Sequence, residues 1–262
     1  MGVVNVTPDS FSDGGLFAEP SSAVEHGRRL VAEGAALVDV GGESTRPGAA
    51  PVSADEELAR AVPVLEGLRG IPLSIDTSKA PVARRALELG AELVNDVTAL
   101  RGDDELAEVV AEEKAFVCLM HMQGEPRTMQ AAPQYDDVVS DVLAFLEGRI
   151  AFAVDRGIRE EMICVDPGIG FGKTADHNLE LLRRLGELTA LGRPIVVGVS
   201  RKSTLAKIAG VASSDPAIVP ASLAAAVLAY EHGAWMIRAH DVAGTVAGLA
   251  VAAAVERGKI AT

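Results

Sequence analysis

An acidic residue followed by a glycine-rich run stands at residues 166–173, which read Asp-Pro-Gly-Ile-Gly-Phe-Gly-Lys. The run does not match a Walker phosphate loop, because the position that needs glycine holds Pro167, which has no backbone N–H for a phosphate. It does not match the dinucleotide fingerprint either, since Lys173 stands where the third glycine belongs. We interpret it as a strand end that delivers the Asp166 carboxylate to a rim where glycines let the backbone approach a flat ligand.

Polar residues follow each of the other apolar segments that could form strands. At a single strand end, a helix cap or a loop hydrogen bond explains such a residue equally well. Polar ends on eight segments predict one shared site. The residues at these ends are Asn5, Glu43 to Arg46, Asp76, Asn95, Asp96, His121, Asp166, Ser200 to Lys202, Arg238 and His240.

The residues at these strand ends form a predicted ring around one site, and their types indicate two kinds of ligand chemistry. Carboxylates, an amide and a cationic donor suit a flat heterocycle that carries adjacent N–H groups and a carbonyl. These residues are Asp76, Asn95, Asp166 and Lys202. Guanidinium, imidazole and hydroxyl groups suit a phosphate or a pyrophosphate. These are Thr45, Arg46, Arg238 and His240, while the amide oxygen of Asn5 suits a hard cation such as Mg²⁺.

The elements that position these residues alternate between short β-rich runs and helical segments, without tight hairpins. This alternation is typical of βα units around a parallel sheet. Eight units in 262 residues predict an α/β fold, a (β/α)₈ TIM barrel, as a single domain over residues 1–262. The predicted strands are Met1 to Val6, Ala35 to Gly41, Ile71 to Asp76, Glu92 to Val97, Ala115 to His121, Met162 to Asp166, Pro194 to Ser200 and Ala234 to His240.

Helix boundary signals agree with this alternation. Capping boxes, a possible acidic cap and terminating glycines are typical of helix ends. They are Ser22 with Glu25, Ser53 with Glu56, Asp241 as the possible cap of the last helix, and Gly34, Gly70 and Gly90 as stops.

Composition limits the class of protein. Hydrophobic residues make up 48% of the chain and aromatic residues only 3%, so the core must be built from small aliphatic side chains. A net charge of -13 argues against a nucleic-acid or anionic-membrane partner, although a local cationic pocket remains possible. No apolar run is long enough for a membrane span and no secretion signal is evident, which predicts a cytoplasmic protein. Cys118 and Cys164 are expected to be reduced core thiols, with a disulfide or a catalytic thiol as alternatives.

Eight segments, in chain order, resemble the motif series of the dihydropteroate synthase family. The two most specific are the loops Asn-Val-Thr-Pro-Asp-Ser-Phe-Ser-Asp-Gly-Gly and Gly-Gly-Glu-Ser-Thr-Arg-Pro-Gly. The segments are residues 5–15, 41–48, 74–77, 95–97, 121–124, 166–173, 200–203 and 238–242.

The resemblance implies a (β/α)₈ barrel enzyme. It would join p-aminobenzoate to 6-hydroxymethyl-7,8-dihydropterin pyrophosphate, with Mg²⁺ as cofactor, and sulfonamides would compete with p-aminobenzoate. Pyrophosphate would leave first and the amine would attack second, an SN1-like order that needs no covalent enzyme intermediate. The resemblance also implies a homodimer formed by helices near the C-terminal end of the barrel, namely the helix from Ala221 to Tyr230 and the one after Asp241.

Residue roles follow from the resemblance position by position. Asn5 would ligate Mg²⁺. The pterin contacts would be Asp76, Asn95, Asp166 and Lys202. Phe171 is expected beside Asp166, and Met120 is a further candidate for contact with the pterin face, with core packing as its alternative. The pyrophosphate contacts would be Thr45, Arg46, Arg238 and His240. The p-aminobenzoate pocket would be shaped by Phe11, Pro47, Lys202 and Ser203, and Asp13 in the first loop would stabilise a cationic centre or the closed state. The residues expected to act in catalysis are Asp13, Arg46, Lys202, Arg238 and His240.

Two alternative functions remain compatible with these residues. One is a pterin-binding methyltransferase that passes a methyl group from a folate to a corrinoid. The other is a pterin-binding partner subunit without catalytic activity. The Ser-Thr-Arg-Pro-Gly and Ser-Arg-Lys-Ser segments favour the synthase.

Overall fold

The computed structural model describes residues 1–7, 20–46 and 48–258. All eight predicted strands are present, and each lies inside its predicted segment to within one residue. The strands are β1 (Gly2–Asn5), β2 (Val38–Gly41), β3 (Leu73–Asp76), β4 (Ala91–Asp96), β5 (Phe116–Met120), β6 (Ile163–Asp166), β7 (Val196–Val197) and β8 (Met236–Ile237). The helices are α1 (Pro20–Ala32), α2 (Ala54–Gly67), α3 (Ala80–Glu88), α4 (Leu106–Glu112), α5 (Val138–Asp155), α6 (Ala175–Arg183), α7 (Ser203–Ala209), α8 (Val219–Glu231) and α9 (Val242–Arg257).

The strands close into a parallel barrel. β1 to β6 pair in sequence order, and β7 pairs with β8. Backbone hydrogen bonds join these sheets on both sides: Val165 N–H donates to Pro194 O at 3.0 Å, and Ala239 N–H donates to Met1 O at 2.9 Å. Since every strand runs in the same direction, all eight carboxyl ends lie on one rim, and the (β/α)₈ prediction is confirmed.

The core is aliphatic, as the composition predicts. Buried Val, Leu, Ile and Ala side chains fill the space between the strands and the surrounding helices. A smaller cluster around Leu93, Cys118 and Val196 fills another part of the core. Cys118 and Cys164 are free thiols that face each other in the register of β5 and β6. Within the described residues, no helix is both long and apolar enough to cross a membrane.

The helix boundaries agree with the sequence signals in part. Ser53 caps α2 by accepting from Glu56 N–H, and Gly34, Gly70 and Gly90 all take positive φ angles. The box predicted at Ser22 is wrong, because α1 already begins at Pro20. Asp241 does not cap α9 with its side chain, since its carboxylate pairs with Arg201 at 2.9 Å instead.

Candidate active site at the carboxyl ends of the strands

A cavity of about 530 Å³ opens at the rim formed by the carboxyl ends of the strands. Every described residue with a predicted role lines it: Asn5, Thr45, Arg46, Asp76, Asn95, Met120, Asp166, Phe171, Lys202, Ser203, Arg238 and His240. Asp96 and His121, which were also predicted at the shared site, do not line the cavity. Phe11, Asp13 and Pro47 lie outside the described residues, as does most of the first loop. The sequence therefore predicted which described side chains converge, while their individual roles stay predictions.

The glycine-rich run after Asp166 is packed closely against the loop that follows β5. Gly168 N–H donates to Asp166 Oδ1 at 2.7 Å, which fixes the carboxylate. A Cβ on Gly168 would overlap the carbonyl oxygen of His121, and one on Gly172 would overlap that of Gln123. Both glycines also take positive φ angles. The run needs glycine for backbone contact and for its left-handed conformation.

Lys173 donates hydrogen bonds to the backbone carbonyls of this glycine-rich run. Its Nζ lies 2.8 Å from His121 Nδ1 and donates to the carbonyls of Gly168 and Phe171 at 3.0 Å each. The side chain is buried, and this burial lowers the pKa of Lys173 to about 7. Burial and the charge of Lys173 lower the pKa of His121 to about 3, so this imidazole is neutral. Lys173 is thus engaged in holding the backbone.

Lys202 and Phe171 form one side of the cavity. Lys202 Nζ lies 4.2 Å from the centre of the Phe171 ring, a cation–π contact. Gly170 leaves room for this lysine, because a Cβ there would approach Lys202 Cδ to 3.2 Å. Burial lowers the pKa of Lys202 to about 8, and burial also raises the pKa of Asp166, although each group's charge favours the charged form of the other.

A network of buried charges lies at the opposite strands of the barrel. Arg238 Nε donates to Asp39 Oδ2 at 2.7 Å, and an Arg238 terminal N–H donates to Asp76 Oδ2 at 2.9 Å. Asn95 Nδ2 donates to the same Asp39 oxygen at 3.1 Å. Burial alone would lower the pKa of Arg238, but the two carboxylates raise it above its ordinary value.

This network alters the predicted division of the ring. The sequence grouped Arg238 with the anion-binding residues, apart from the pterin-binding carboxylates. The structure instead bonds its guanidinium to Asp76. Burial raises the pKa of Asp76 to about 7 despite the opposing effect of Arg238. Arg238 therefore contacts a residue predicted to bind the pterin, Asp76, and is also one of the cations near His240.

The cationic side of the cavity surrounds His240. The imidazole Nδ1 lies 3.0 Å from Ser200 Oγ. Burial lowers the pKa of His240 well below its ordinary value, and four nearby cations lower it further. These cations are Arg238, Arg201, Arg46 and Lys202. So much positive charge around a neutral imidazole suits an anionic group.

Asn5 offers its amide oxygen at the end of β1. A Cβ on the neighbouring Gly41 would lie 3.7 Å from Asn5 Oδ1, so the glycine keeps that side of the oxygen open. Within the described residues, no group of three His, Cys, Asp or Glu side chains is placed to hold a metal. Mg²⁺ usually keeps several waters and substrate oxygens as ligands, so a single amide oxygen such as that of Asn5 suits it.

The sequence interpretation missed several groups in and around the site. Asp39 lies two residues before the end of β2 and so faces the same side as Gly41, a signal that strand alternation could have supplied.

Lys79 pairs with Glu43 at 2.7 Å and with the buried Glu57 at 2.6 Å, which ties the loop after β2 to α2. Ser213 and Ser214, from the segment between α7 and α8, also line the cavity, and no sequence signal marked them.

The family model for pterin binding enzymes matches residues 1–240. The dihydropteroate synthase of Escherichia coli strain K12 is 46% identical over 254 residues, which cover 96% of this chain and 89% of that protein. The chain belongs to the dihydropteroate synthase family.

Solved structures of dihydropteroate synthases agree with this assignment. The Yersinia pestis synthase, solved as a sulfonamide drug complex, is 45% identical with a TM-score of 0.94, over 98% of this chain and 94% of that one. The Xanthomonas albilineans synthase with 4-aminobenzoic acid is 47% identical with a TM-score of 0.89, over 98% and 92% of the two chains. The same synthase with 7,8-dihydropteroate gives 43% identity and a TM-score of 0.87, again over 98% and 92%.

The predicted enzyme class is confirmed by this membership. The curated relatives are dihydropteroate synthases, so the chain is an enzyme and a transferase. The predicted barrel and the predicted pterin-binding family are confirmed as well.

Proposed function

We propose that this enzyme joins p-aminobenzoate to 6-hydroxymethyl-7,8-dihydropterin pyrophosphate and releases pyrophosphate. The observation that carries the proposal is the meeting of two chemistries in one cavity. Buried acceptors suited to a pterin stand beside a group of cations suited to a diphosphate. The complexes of the Xanthomonas albilineans synthase with 4-aminobenzoic acid and with 7,8-dihydropteroate support the same substrates.

The pterin is held by hydrogen bonds to its edge and by contact with its faces. Asp76 and Asp166 accept from its N–H groups, and Asn95 contributes its amide. Asp76 Oδ1 is buried and has no hydrogen-bond partner among the described residues, so its capacity as an acceptor is unused. Met120 and Phe171 lie in one apolar cluster that lines the cavity, which suits the face of a flat ring.

The reaction proceeds by loss of pyrophosphate first. The bond between the pterin methylene carbon and the pyrophosphate oxygen breaks, and both electrons leave with the pyrophosphate. The positive charge spreads into the pterin ring. The amine nitrogen of p-aminobenzoate then forms the new C–N bond and releases one proton to pyrophosphate or water. Arg46, Arg238 and His240 stabilise the departing anion, and no covalent bond to the enzyme is needed.

The chemistry of Asn5 fits a magnesium ion, because an amide oxygen is a ligand suited to a hard cation. Asn5 would supply one amide oxygen, kept open by the glycine opposite it. When bound, the ion would add positive charge beside the leaving group. The protein's own cations already surround that position.

The p-aminobenzoate pocket lies beside Lys202 and Ser203 at the start of α7. Thr45, on the loop after β2, lines the same cavity. Phe11, Pro47 and Asp13 complete the proposal from outside the described residues. Because the Yersinia pestis synthase was solved with a sulfonamide drug, we expect sulfonamides to compete with p-aminobenzoate here.

The enzyme is also proposed to act as a homodimer through α8 and α9. Apolar side chains on these helices are exposed: Leu228 is 49% exposed, Val251 65% and Val255 76%. Exposed apolar side chains grouped on neighbouring helices are typical of a subunit interface.

The test of the activity mixes the purified protein with Mg²⁺, the pterin pyrophosphate and p-aminobenzoate, and follows both products together. We expect dihydropteroate and pyrophosphate in equal amounts. The Asp166→Asn variant is the control for contaminating host enzyme, since an amide cannot accept twice from paired N–H groups. Pterin binding without either product would favour a non-catalytic subunit. Methyl transfer from a methylated folate to a corrinoid would favour the methyltransferase.

A further inference from the structure

Asp39 is a fully buried acidic residue to which the proposed function assigns no role. It lies on β2, and its exposed fraction is 0%. Its Oδ2 accepts from Arg238 Nε at 2.7 Å and from Asn95 Nδ2 at 3.1 Å. Both donors belong to cavity-lining residues with predicted roles. Asp39 therefore contacts two residues that line the cavity, although it does not line the cavity itself.

Stability alone is a poor explanation for this carboxylate. Burying a charge is costly, and a well-packed apolar side chain is often as stabilising as a buried ion pair. The second oxygen, Asp39 Oδ1, has no hydrogen-bond partner among the described residues. The geometry that Asp39 imposes on its neighbours is a better explanation.

The first effect of Asp39 is on Arg238. The guanidinium is planar, and two of its N–H groups are directed to different carboxylates, Asp39 and Asp76. Without Asp39, the guanidinium would be free to form a bidentate pair with Asp76, a strongly favoured arrangement. Such a pair would occupy Asp76 Oδ1, which has no partner now.

The second effect is on Asn95. A carboxylate can only accept hydrogen bonds, so the group that faces Asp39 must be the amide NH₂ of Asn95. The amide oxygen is thereby turned away from Asp39. An amide without such a neighbour can present either its donor or its acceptor to a ligand.

We propose that Asp39 is a positioning residue for the pterin site: it keeps Arg238 from occupying both oxygens of Asp76 and sets the orientation of the Asn95 amide. This inference rests on the proposed function, because it concerns the same pterin.

Removing the Asp39 charge also has an electrostatic consequence. Burial is the main cause of the raised pKa of Asp76, and neighbouring charges modify it. These charges include Arg238 on β8, which lowers the pKa, and Asp39 on β2, Glu57 on α2 and Asp96 on β4, which raise it. Lys202, at the start of α7, also interacts with Asp76 and favours its charged form. Without the Asp39 charge, and with Arg238 free to approach, the pKa of Asp76 should fall.

The test compares Asp39→Asn with the unchanged enzyme by calorimetric titration of the dihydropterin pyrophosphate at several pH values. We expect the Kd for the pterin to rise about tenfold or more, because one acceptor is lost. The pH at which pterin affinity declines should move lower, which a merely structural role of Asp39 would not cause. The KM for p-aminobenzoate should change little. An unchanged Kd and an unchanged pH profile would overturn the proposal.

Two further variants serve as controls for this test. Asp137→Asn removes a carboxylate that lies 2.7 Å from Arg184 at the start of α5, away from the cavity, and should leave pterin affinity unchanged. Asp39→Glu keeps the charge but displaces it, so it should weaken pterin binding while the pH profile stays near that of the unchanged enzyme. If Asp39→Asn does not fold, normal pterin affinity in Asp39→Glu would still refute the proposal. If the unchanged enzyme itself binds no pterin, the proposed function fails instead.

Discussion

Carboxylates at the ends of β3 and β6 are buried beside cations, and their protonation follows from that environment. Burial favours the neutral form of a carboxyl group, whereas a nearby guanidinium or ammonium favours the charged form. For Asp76 burial is the larger effect, and its pKa rises to about 7. Asp166 is raised in the same direction, although Gly168 N–H and Lys202 oppose the shift. The free enzyme therefore holds Asp76 only partly ionised near neutral pH.

The first prediction concerns the pH dependence of pterin binding. In the proposed pterin site, the charged form of Asp76 accepts from a pterin N–H, so protonation of Asp76 should compete with binding. Because the pKa of Asp76 in the free enzyme is about 7, affinity should fall as the pH drops from about 8 to about 6. Calorimetry in buffers of different ionisation enthalpy would show proton release in the same range.

The matched variant for this prediction is Asp76→Asn. It should bind the pterin more weakly and lose the part of the pH dependence that Asp76 causes. Titration of the pterin itself is common to both proteins, so the difference between their profiles reports the enzyme. Identical profiles in the two proteins would exclude Asp76 as the titrating group.

At the scale of the element, the loop between β6 and α6 is held from several sides. Lys173 binds its carbonyls from below, and Tyr135 donates to Gly172 O at 2.7 Å. Asn178 on α6 accepts from Gly170 N–H at 2.7 Å. A loop with its backbone groups bonded in this way presents Asp166 and Phe171 in a fixed position, which lowers the entropy lost when a ligand binds.

The second prediction separates the cost of steric overlap from the cost of a left-handed backbone, by comparing Gly168 in this loop with Gly192, which lies outside it. Gly168 and Gly192 have nearly equal φ angles, 69° and 65°, but only Gly168 has a neighbour in the way of a Cβ. Gly192→Ala should cost about 1 kcal/mol for its left-handed backbone. Gly168→Ala should cost about 2 to 4 kcal/mol, because the new Cβ meets the His121 carbonyl. Urea unfolding of both variants measures the difference, and equal losses would contradict a contact-limited loop.

At the scale of the whole molecule, barrel closure brings residues from the two ends of the chain together. The bonds from Ala239 to Met1 and from Arg238 to Asp39 join β8 to β1 and β2. Among the described residues, exposed large apolar side chains lie on α8 and α9, at Leu228, Val246, Val251 and Val255, and also on other elements, for example at Val154 on α5 and at Trp235 before β8. We propose α8 and α9 as the surface for a second copy, because four of these side chains are grouped on two helices that pack against each other.

The third prediction tests that surface. Val255→Lys places a charge at an exposed valine of α9 and should convert a homodimer to a monomer. Light scattering would then show the 27.1 kDa of one chain instead of twice that mass. Val154→Lys on α5, where the valine is 42% exposed, is the matched control and should leave the mass unchanged. A monomeric parent protein at micromolar concentration would refute the dimer.

The sequence alone determined the barrel and the members of its rim. Alternating apolar strands and helices imply parallel strands, and parallel strands place all their polar ends together. Asp76, Asn95, Asp166 and Lys202 could thus be assigned to one cavity without any coordinates. The failed phosphate-loop pattern after Asp166 was informative for the same reason, since it left a strand end as the better interpretation.

Only the tertiary structure decided which of these residues touch. Arg238 and Asp39 are 199 residues apart in the chain, and their contact depends on the closure of β8 against β1 and on the register of β2. The sequence pattern gives the direction of each side chain along its own strand but not its partner across the barrel. For that reason Arg238 was assigned to the anion alone, and Asp39, one alternation below the rim, was missed.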